Sequence, residues 1–314
     1  MIQGIHHITA IASDAQKNYR FYTHVLGLRL VKKTVNQDDV GTYHLFYGDK
    51  EGFPGMDLTF FIFLPSTQGK RGNGLVTKIS FQVPEQSLPF WENRFKRLQV
   101  NTEGLSKLFD RKRLIFFDHD DQQLELVGIP EQELEDKEIW TTEDVSSENA
   151  IRSFHSATLR VSDIQMVEPI LTTVFGYVKK EREENIFHYS LPDSKRANII
   201  EVHEDSSLGY GINAAGTVHH IAFRAKNESE QSHLQKRVQN LGIQTTDVID
   251  RFYFKSVYFR IPGGILFEIA TDGPGFTADE SEKTLGEHLA LPPFLEHQRI
   301  KIESALAPIV LNEK

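Results

Sequence analysis

One order of elements, β-α-β-β-β, recurs four times along this chain of 314 residues and constrains the fold more than any other feature. In the first module, "HHITAIA" alternates like a strand, and "SDAQKNYRFYTHVLG" has apolar residues at helical spacing. Ser13 or Asp14 can cap this helix, and Gly27 stands where a glycine commonly ends one. Three strand candidates follow, namely "LRLVKKTVN", "TYHLFYGD" and "MDLTFFIFL". The repeat predicts an α+β fold built from four βαβββ modules.

The other modules keep this order with different residues. The second runs from "VTKISFQVP" to "RLIFFDHDDQQLELVGI", the third from "SFHSATLRVSD" to "ANIIEVHE", and the fourth from "TVHHIAFRA" to "SVYFRIPGGILFEIATD". Between modules two and three, residues 131–150 carry eight acids and one lysine, which is typical of an exposed linker. We therefore expect an N-terminal domain over 1–130, this acidic linker, a C-terminal domain over 151–275, and an extension over 276–314 that includes a terminal helix.

Composition narrows the range of functions. The formal net charge of −9 argues against a nucleic-acid partner, which requires a basic face. The chain has no cysteine, so disulfides, thiolate metal sites and cysteine nucleophiles are excluded, and any metal must be bound by histidines and carboxylates. No apolar stretch is long enough to span a membrane, and no signal pattern opens the chain, so we expect a cytoplasmic protein.

Two His-His pairs, His6-His7 and His219-His220, open the first strands of modules one and four. Because side chains alternate between the two faces of a strand, the second histidine of each pair is expected on the open side of the sheet. The same alternation places Glu268, in "ILFEIA", on the open side of the last strand. His7, His220 and Glu268 are therefore predicted to face one concavity. His6 and His219 are predicted to face the helices and are interpreted as structural.

These three side chains offer two imidazoles and one carboxylate. That is the ligand set of non-haem Fe(II) oxygenases, although Mn, Zn and Ni accept the same donors. A glutamate between Phe267 and Ile269 at the centre of a strand also requires a partner, because burial of an unpaired carboxylate is costly. We predict a metal site at His7, His220 and Glu268.

Three stretches resemble a known superfamily: "GIHHITAIASDAQKNYRFYTHVLGLRLVKKTVNQDD", "TVHHIAFR" and "DRFYFKSVYFRIPGGILFEIATDGPGF". The chain resembles the vicinal oxygen chelate superfamily, which includes glyoxalase I, fosfomycin-resistance proteins and type I extradiol dioxygenases. Within it, the chain is similar to ring-cleaving dioxygenases of the MhqA/MhqO kind. The resemblance implies two half-barrel cups of glyoxalase-like fold. It also implies Fe(II)-dependent cleavage of aromatic rings in quinone or hydroquinone detoxification.

In that superfamily two modules pair into one cup that holds one metal ion. Modules two and three keep carboxylates at Glu125 and Glu201, but they have Lys78 and Ser156 in place of the ligand histidines. Module one has a ligand histidine and offers Thr59 in place of the carboxylate, whereas module four has both ligand types. A complete site therefore requires modules one and four to share a cup, and this is the pairing that we predict.

The resemblance also implies residues that act beside the metal. Tyr258, ten residues before Glu268, matches a tyrosine of the extradiol motif. The histidine that precedes that tyrosine in the motif is absent, and "IDRFYF" stands in its place. His44 is then the candidate acid–base residue. Arg224 is a candidate to hold an anionic substrate or to pair with an acid.

We expect a small aromatic substrate of hydroquinone or catechol type and O2 as partners. Because four modules already make two cups, a monomer or a homodimer fits the sequence. Two other classes stay open: a glyoxalase-like isomerase or thiol transferase with Zn, Ni or Mn, and a binding protein of the bleomycin-resistance type. Such isomerases usually have a second carboxylate, which Thr59 does not supply, and such binding proteins lack the metal triad.

Overall fold

The computed structural model describes residues 2–135 and 139–311, and its strands fall into the four predicted modules. The strands of modules one and two are β1 (Ile5–Ala12), β2 (Arg29–Asn36), β3 (Asp39–Gly48), β4 (Asp57–Ile62), β5 (Leu75–Pro84), β6 (Thr102–Leu108), β7 (Arg111–Phe117) and β8 (Gln123–Ile129). The strands of modules three and four are β9 (Ser153–Val161), β10 (Val178–Glu183), β11 (Ile186–Ser190), β12 (Ile199–Glu204), β13 (Thr217–Ala225), β14 (Ile249–Asp250), β15 (Lys255–Arg260) and β16 (Leu266–Thr271).

A helical segment follows the first strand of every module. These segments are α1 (Ala15–Arg20, continued as a π-helix over Phe21–Val25), α2 (Leu88–Arg97), a π-helix over Ile170–Phe175, and α3 (Glu228–Asn240). Asp14 caps α1 by accepting a 2.8 Å hydrogen bond from the backbone N–H of Lys17, and Gly27 follows in the left-handed region at φ 71°. The predicted terminal helix is α4 (Arg299–Ala305). In the part of the chain that the structure describes, no helix is long and apolar enough to cross a membrane.

Among the strands that complete the predicted order, β6 and β10 were not located in the sequence. Their segments read "TEGLSKL" and "VKKERE", and every residue of β10 is exposed. Both lie at the outer edge of their sheet, where little packs on either face. The alternation of apolar and polar residues that identifies a half-buried strand is therefore missing from them.

The sixteen strands form two curled eight-stranded sheets. The first has the order β14-β15-β16-β13-β1-β4-β3-β2, and the second has the order β10-β11-β12-β9-β5-β8-β7-β6. In each sheet the first strands of two modules pair antiparallel at the centre, β1 with β13 and β5 with β9. Modules one and four therefore share one cup, as predicted, and modules two and three share the other. Each sheet combines residues of 1–130 and 151–275, and the predicted domain boundaries stay predictions.

The main apolar core lies between the sheets and the helical segments. Tyr22, Trp91, Phe175 and Leu234 come from the four helical segments and are all fully buried there. The segment 131–150 adds to this core, because Val145 is buried against it while the acidic side chains around it face solvent. The linker is thus packed at apolar positions, whereas most of its described charged residues are exposed, namely Glu131, Glu133, Glu143, Asp144 and Glu148.

A β-bulge interrupts the first strand of every module at the same place. One residue of each strand has no partner across the strand pair. These residues are His6, Thr77, His155 and His219. The extra residue shifts the alternation, so that it and the residue after it turn toward the cup. Accordingly, the Nδ1 atoms of His6 and His7 are 2.9 Å apart, and those of His219 and His220 are 2.8 Å apart. The prediction that His6 and His219 face the helices is therefore wrong.

The cup of modules two and three contains buried ion pairs. Lys78, at the register position that His7 has in the first cup, lies 2.8 Å from Glu125. Arg113 contacts Glu125 at 3.0 Å and Glu201 at 2.7 Å. Two cations thus balance two carboxylates in this second cup.

Arg113→Met should lower the free energy of unfolding by about 3–5 kcal/mol, because it leaves Glu125 and Glu201 with a single buried cation. Urea denaturation measures this loss. Arg111→Met is the matched control, since Arg111 lies on the same strand and pairs with partly exposed Glu133, and it should cost less than about 1 kcal/mol. Equal losses in the two variants would contradict a stabilising role for the buried network.

Candidate metal centre

The first cup brings the three predicted ligands together. His7 lies on β1, His220 on the adjacent β13, and Glu268 on β16, which pairs with β13 on its other side. Nε2 of His7 is 3.3 Å from Nε2 of His220 and 3.2 Å from Oε2 of Glu268. Nε2 of His220 is 3.0 Å from the same carboxylate oxygen. All three side chains are buried.

This triangle of atoms fits a divalent metal ion. Nitrogen and oxygen ligands lie about 2.1 Å from such an ion, so two ligands at a right angle are about 3.0 Å apart. The three observed separations, 3.0, 3.2 and 3.3 Å, match one face of an octahedron. Among the described residues, these three form the single group of histidine and acidic side chains with that capacity.

Glu268 has one satisfied oxygen and one that faces the ring nitrogens. Its Oε1 accepts a 2.5 Å hydrogen bond from Ser256, whereas its buried Oε2 accepts none. Within residues 2–135 and 139–311, no lysine or arginine forms an ion pair with Glu268. Burial acts to raise the pKa of Glu268, but its contacts with His7 and His220 hold that pKa well below the ordinary value. An ionised carboxylate buried without a lysine or arginine favours a bound cation.

A cavity of about 40 Å³ lies beside these ligands. Its lining includes two residues singled out in the sequence, His44 and Tyr258, together with the aromatic rings of Phe46, Phe61 and Phe254. The ring of Tyr258 is edge-on to His220, with 5.7 Å between ring centroids. Burial, together with the charge of Glu268, raises the pKa of Tyr258, so its phenol keeps the proton at neutral pH.

His44 is linked to the ligands through two threonines. Its Nε2 lies 2.9 Å from the hydroxyl of Thr59, which lies 2.8 Å from the hydroxyl of Thr9. Thr9 in turn lies 2.9 Å from Nε2 of His220. Burial, with smaller contributions from His7 and His220, lowers the pKa of His44 well below 6.5. The imidazole is therefore neutral at pH 7 and can accept a proton.

Arg251 is a cavity residue that the sequence marked only as part of "IDRFYF", where the extradiol motif has a histidine. Its guanidinium lies 5.6 Å from the centre of the Tyr258 ring. It pairs with Asp38 at 2.9 and 3.1 Å, and Gln37 donates a 2.9 Å hydrogen bond to its carbonyl. A guanidinium paired with Asp38 thus stands at the wall of the cavity, near the ring of Tyr258.

Arg224 does not join the other candidates. Its guanidinium makes two contacts with Asp272, at 2.6 and 2.8 Å, and lines a different cavity beside Phe53 and Pro54. β13 carries it four residues beyond His220, past the ligands. Arg224 therefore has the first of its two predicted roles, pairing with an acid. It is not among the residues that line the cavity beside the metal ligands, so its predicted role in holding an anionic substrate has no support there.

Comparison with known proteins yields relatives over almost the whole chain. The protein named "Putative ring-cleaving dioxygenase MhqE", from Bacillus subtilis (strain 168), is 42% identical over 304 residues, which are 97% of this chain and 98% of that protein. The chlorohydroquinone/hydroquinone 1,2-dioxygenase of Sphingobium indicum is 32% identical over 302 residues, covering 94% of this chain and 93% of the relative.

Solved structures agree with the fold. A crystal structure described as a "putative dioxygenase" from Bacillus subtilis superposes with a TM-score of 0.93 at 39% identity, covering 100% of this chain and 99% of the other. Glyoxalase I from Zea mays superposes with a TM-score of 0.64 at 13% identity over 91% of this chain and 96% of its own, a likeness of fold alone. The sequence model of the Glyoxalase/Bleomycin resistance protein/Dioxygenase superfamily matches residues 4–59 and 152–269. The chain belongs to this superfamily.

Proposed function

We propose that the protein is an Fe(II)-dependent ring-cleaving dioxygenase of the extradiol type that acts on hydroquinone-type aromatics, with catechols as the related alternative. The observation that carries this proposal is the buried carboxylate of Glu268, which faces two histidines and has no lysine or arginine partner among the described residues. The names of the two curated relatives support the reaction class. Detoxification of quinones and hydroquinones in the cytoplasm belongs to the same proposal.

In this proposal His7, His220 and Glu268 hold the metal, and three protein ligands leave further positions for substrate and O2. When bound, the iron supplies the electron transfer that lets an aromatic diol react with O2. The neighbouring histidines and the cup wall keep bulk water from the ligands, since all three are buried.

The cavity residues act on the substrate. Arg251 attracts the oxygen of a deprotonated diol, and Tyr258 can donate a hydrogen bond to it because the phenol is protonated. Phe46 and Phe254 offer apolar faces for a flat ring. His44 is neutral and accepts a proton from the hydroxyl of the substrate, and Thr59 holds its Nε2 in place.

Thr59 favours this function over an isomerase. It occupies the position in β4 that Glu268 has in β16, and its hydroxyl is engaged by Thr9 and His44. A fourth protein ligand of the kind used by glyoxalase-like isomerases is therefore absent from that position. The choice between a monomer and a homodimer stays a prediction from the sequence.

His7→Ala and His220→Ala should each lose metal, because each removes one of three ligands. After anaerobic reconstitution with Fe(II) and desalting, elemental analysis should give about one iron per wild-type chain and little in either variant. His233→Ala is the control, because this exposed histidine lies on α3 away from the cup. Equal iron in the wild type and His7→Ala would refute the site.

The wild-type protein loaded with Fe(II) should consume O2 with hydroquinone and form a ring-opened product. Oxygen uptake combined with mass spectrometry under labelled O2 should show both oxygen atoms in that product. Glu268→Gln keeps the size of the side chain but removes the charge, and it should abolish uptake. Tight Zn, Ni or Mn retention without uptake on any diol would favour the isomerase class, and absence of bound metal would favour a binding protein.

His44→Phe should lower kcat by about 10²–10⁴-fold with a smaller change in KM, since it removes the proton acceptor but keeps an aromatic ring. Because the pKa of His44 is lowered from 6.5, its neutral form prevails from pH 6.5 upward, and the acid limb due to this group lies below that value. Measurement of kcat against pH tests this. The control is His24→Phe, because His24 is an exposed histidine in the helical segment of module one. A wild-type kcat in His44→Phe would exclude His44 as the base.

A further inference from the structure

The histidines at the two bulges, His6 and His219, make contacts that are not needed for His7 and His220 to bind a metal. His6 is buried with its ring 5.3 Å from that of Phe254. Its Nε2 lies 3.1 Å from the backbone carbonyl oxygen of Thr271, and its Nδ1 lies 2.9 Å from Nδ1 of His7. A backbone carbonyl, a non-ligand histidine and a ligand histidine are thus connected in series.

The series determines where the protons are. The carbonyl oxygen of Thr271 only accepts, so Nε2 of His6 carries the hydrogen. A neutral imidazole has one N–H, and burial against Phe254 favours the neutral form. Nδ1 of His6 is then an acceptor, and Nδ1 of His7 must donate to it. With this proton on Nδ1, His7 keeps Nε2, the atom that faces Glu268 and His220, as the nitrogen where a metal can bind.

We propose that His6 is a positioning residue that fixes His7 in the tautomer able to bind a metal. The proposal rests on the metal centre proposed above for its consequence, but the proton on Nδ1 of His7 follows from contacts in the protein alone. The opposite tautomer of His7 would direct an N–H at the metal position, and no lone pair would be available there.

The second pair repeats the geometry of the first. Nδ1 of His219 is 2.8 Å from Nδ1 of His220, compared with 2.9 Å in the other pair. The ring centroids are 5.1 Å apart in both pairs, with interplanar angles of 84° and 80°. Nε2 of His220 again faces the carboxylate of Glu268.

The second cup shows that the bulge alone creates this contact. His155 occupies the same bulge position on β9, and its Nδ1 lies 3.1 Å from the hydroxyl of Ser156, the residue at the place of His220. Ser156 is not one of the proposed metal ligands, so the contact is a property of the bulged strand itself. In the first cup the same contact is made to a proposed metal ligand, His7.

Two substitutions distinguish the roles of the two ring nitrogens of His6. In His6→Asn the side-chain oxygen stands near the former Nδ1 and can still accept from His7, whereas the amide of His6→Gln reaches toward the former Nε2 and Thr271. Metal affinity, measured by titration with Mn(II) and Fe(II), should change little in His6→Asn and should fall about 10–100-fold in His6→Gln. His155→Gln, the same change at the second cup, should leave the affinity unaltered.

Nitrogen-15 NMR of the histidine rings in the metal-free protein reads the tautomer directly. We expect a proton on Nδ1 of His7 in the wild type and in His6→Asn, and partial loss of that proton in His6→Gln. A wild-type His7 that lacks a proton on Nδ1, or equal affinities in His6→Asn and His6→Gln, would overturn the proposal. If the tautomers are as expected but His7→Ala binds metal like the wild type, the proposed function fails while the tautomer assignment stands.

Discussion

The antiparallel pairing of β1 with β13 is the contact on which the whole site depends. It joins the first module to the last and sets Thr9 opposite His220 and His7 opposite Ala222. Parallel pairing of β13 with β16 then brings Glu268 beside Ala222. Without this pairing His7 would have neither His220 nor Glu268 beside it, because both come from module four. The metal-binding geometry is therefore a consequence of how modules assemble.

The two cups have the same architecture but differ in how their buried carboxylates are balanced. In the second cup Lys78 and Arg113 neutralise Glu125 and Glu201, so the carboxylates are balanced by cations of the chain itself. In the first cup the corresponding positions hold neutral or histidine side chains, and Glu268 has no such partner among the described residues. In the second cup lysine and arginine thus offset the free-energy cost of burying carboxylates, and we propose that a metal ion offsets it in the first cup.

The repeat, the pairing of modules one and four, and the convergence of His7, His220 and Glu268 were predictable from sequence because they depend on element order and strand alternation. The faces of His6 and His219 were predicted wrongly because uninterrupted alternation was assumed. The sequence contains the signal that corrects this, since apolar core residues of each first strand stand three apart once and two apart afterwards. These residues are Ile5, Ile8, Ala10 and Ala12; Val76, Ile79, Phe81 and Val83; Phe154, Ala157, Leu159 and Val161; Val218, Ile221, Phe223 and Ala225. A single step of three within a period of two is what one bulged residue produces.

The cavity wall was less predictable, because it depends on the curvature of the sheet. β2 and β14 lie at opposite edges of the first sheet, yet Asp38, after β2, pairs with Arg251, after β14, at 2.9 Å. The C-terminal extension reinforces this closure, since Asp279 contacts both buried Lys32 on β2 and the hydroxyl of Tyr253, at 2.7 and 2.8 Å. Alternation along a strand reports which face a residue occupies, but it carries no information on which edges meet when the sheet curls. Residues at strand ends therefore complete the cavity although their local sequence gives no indication of it.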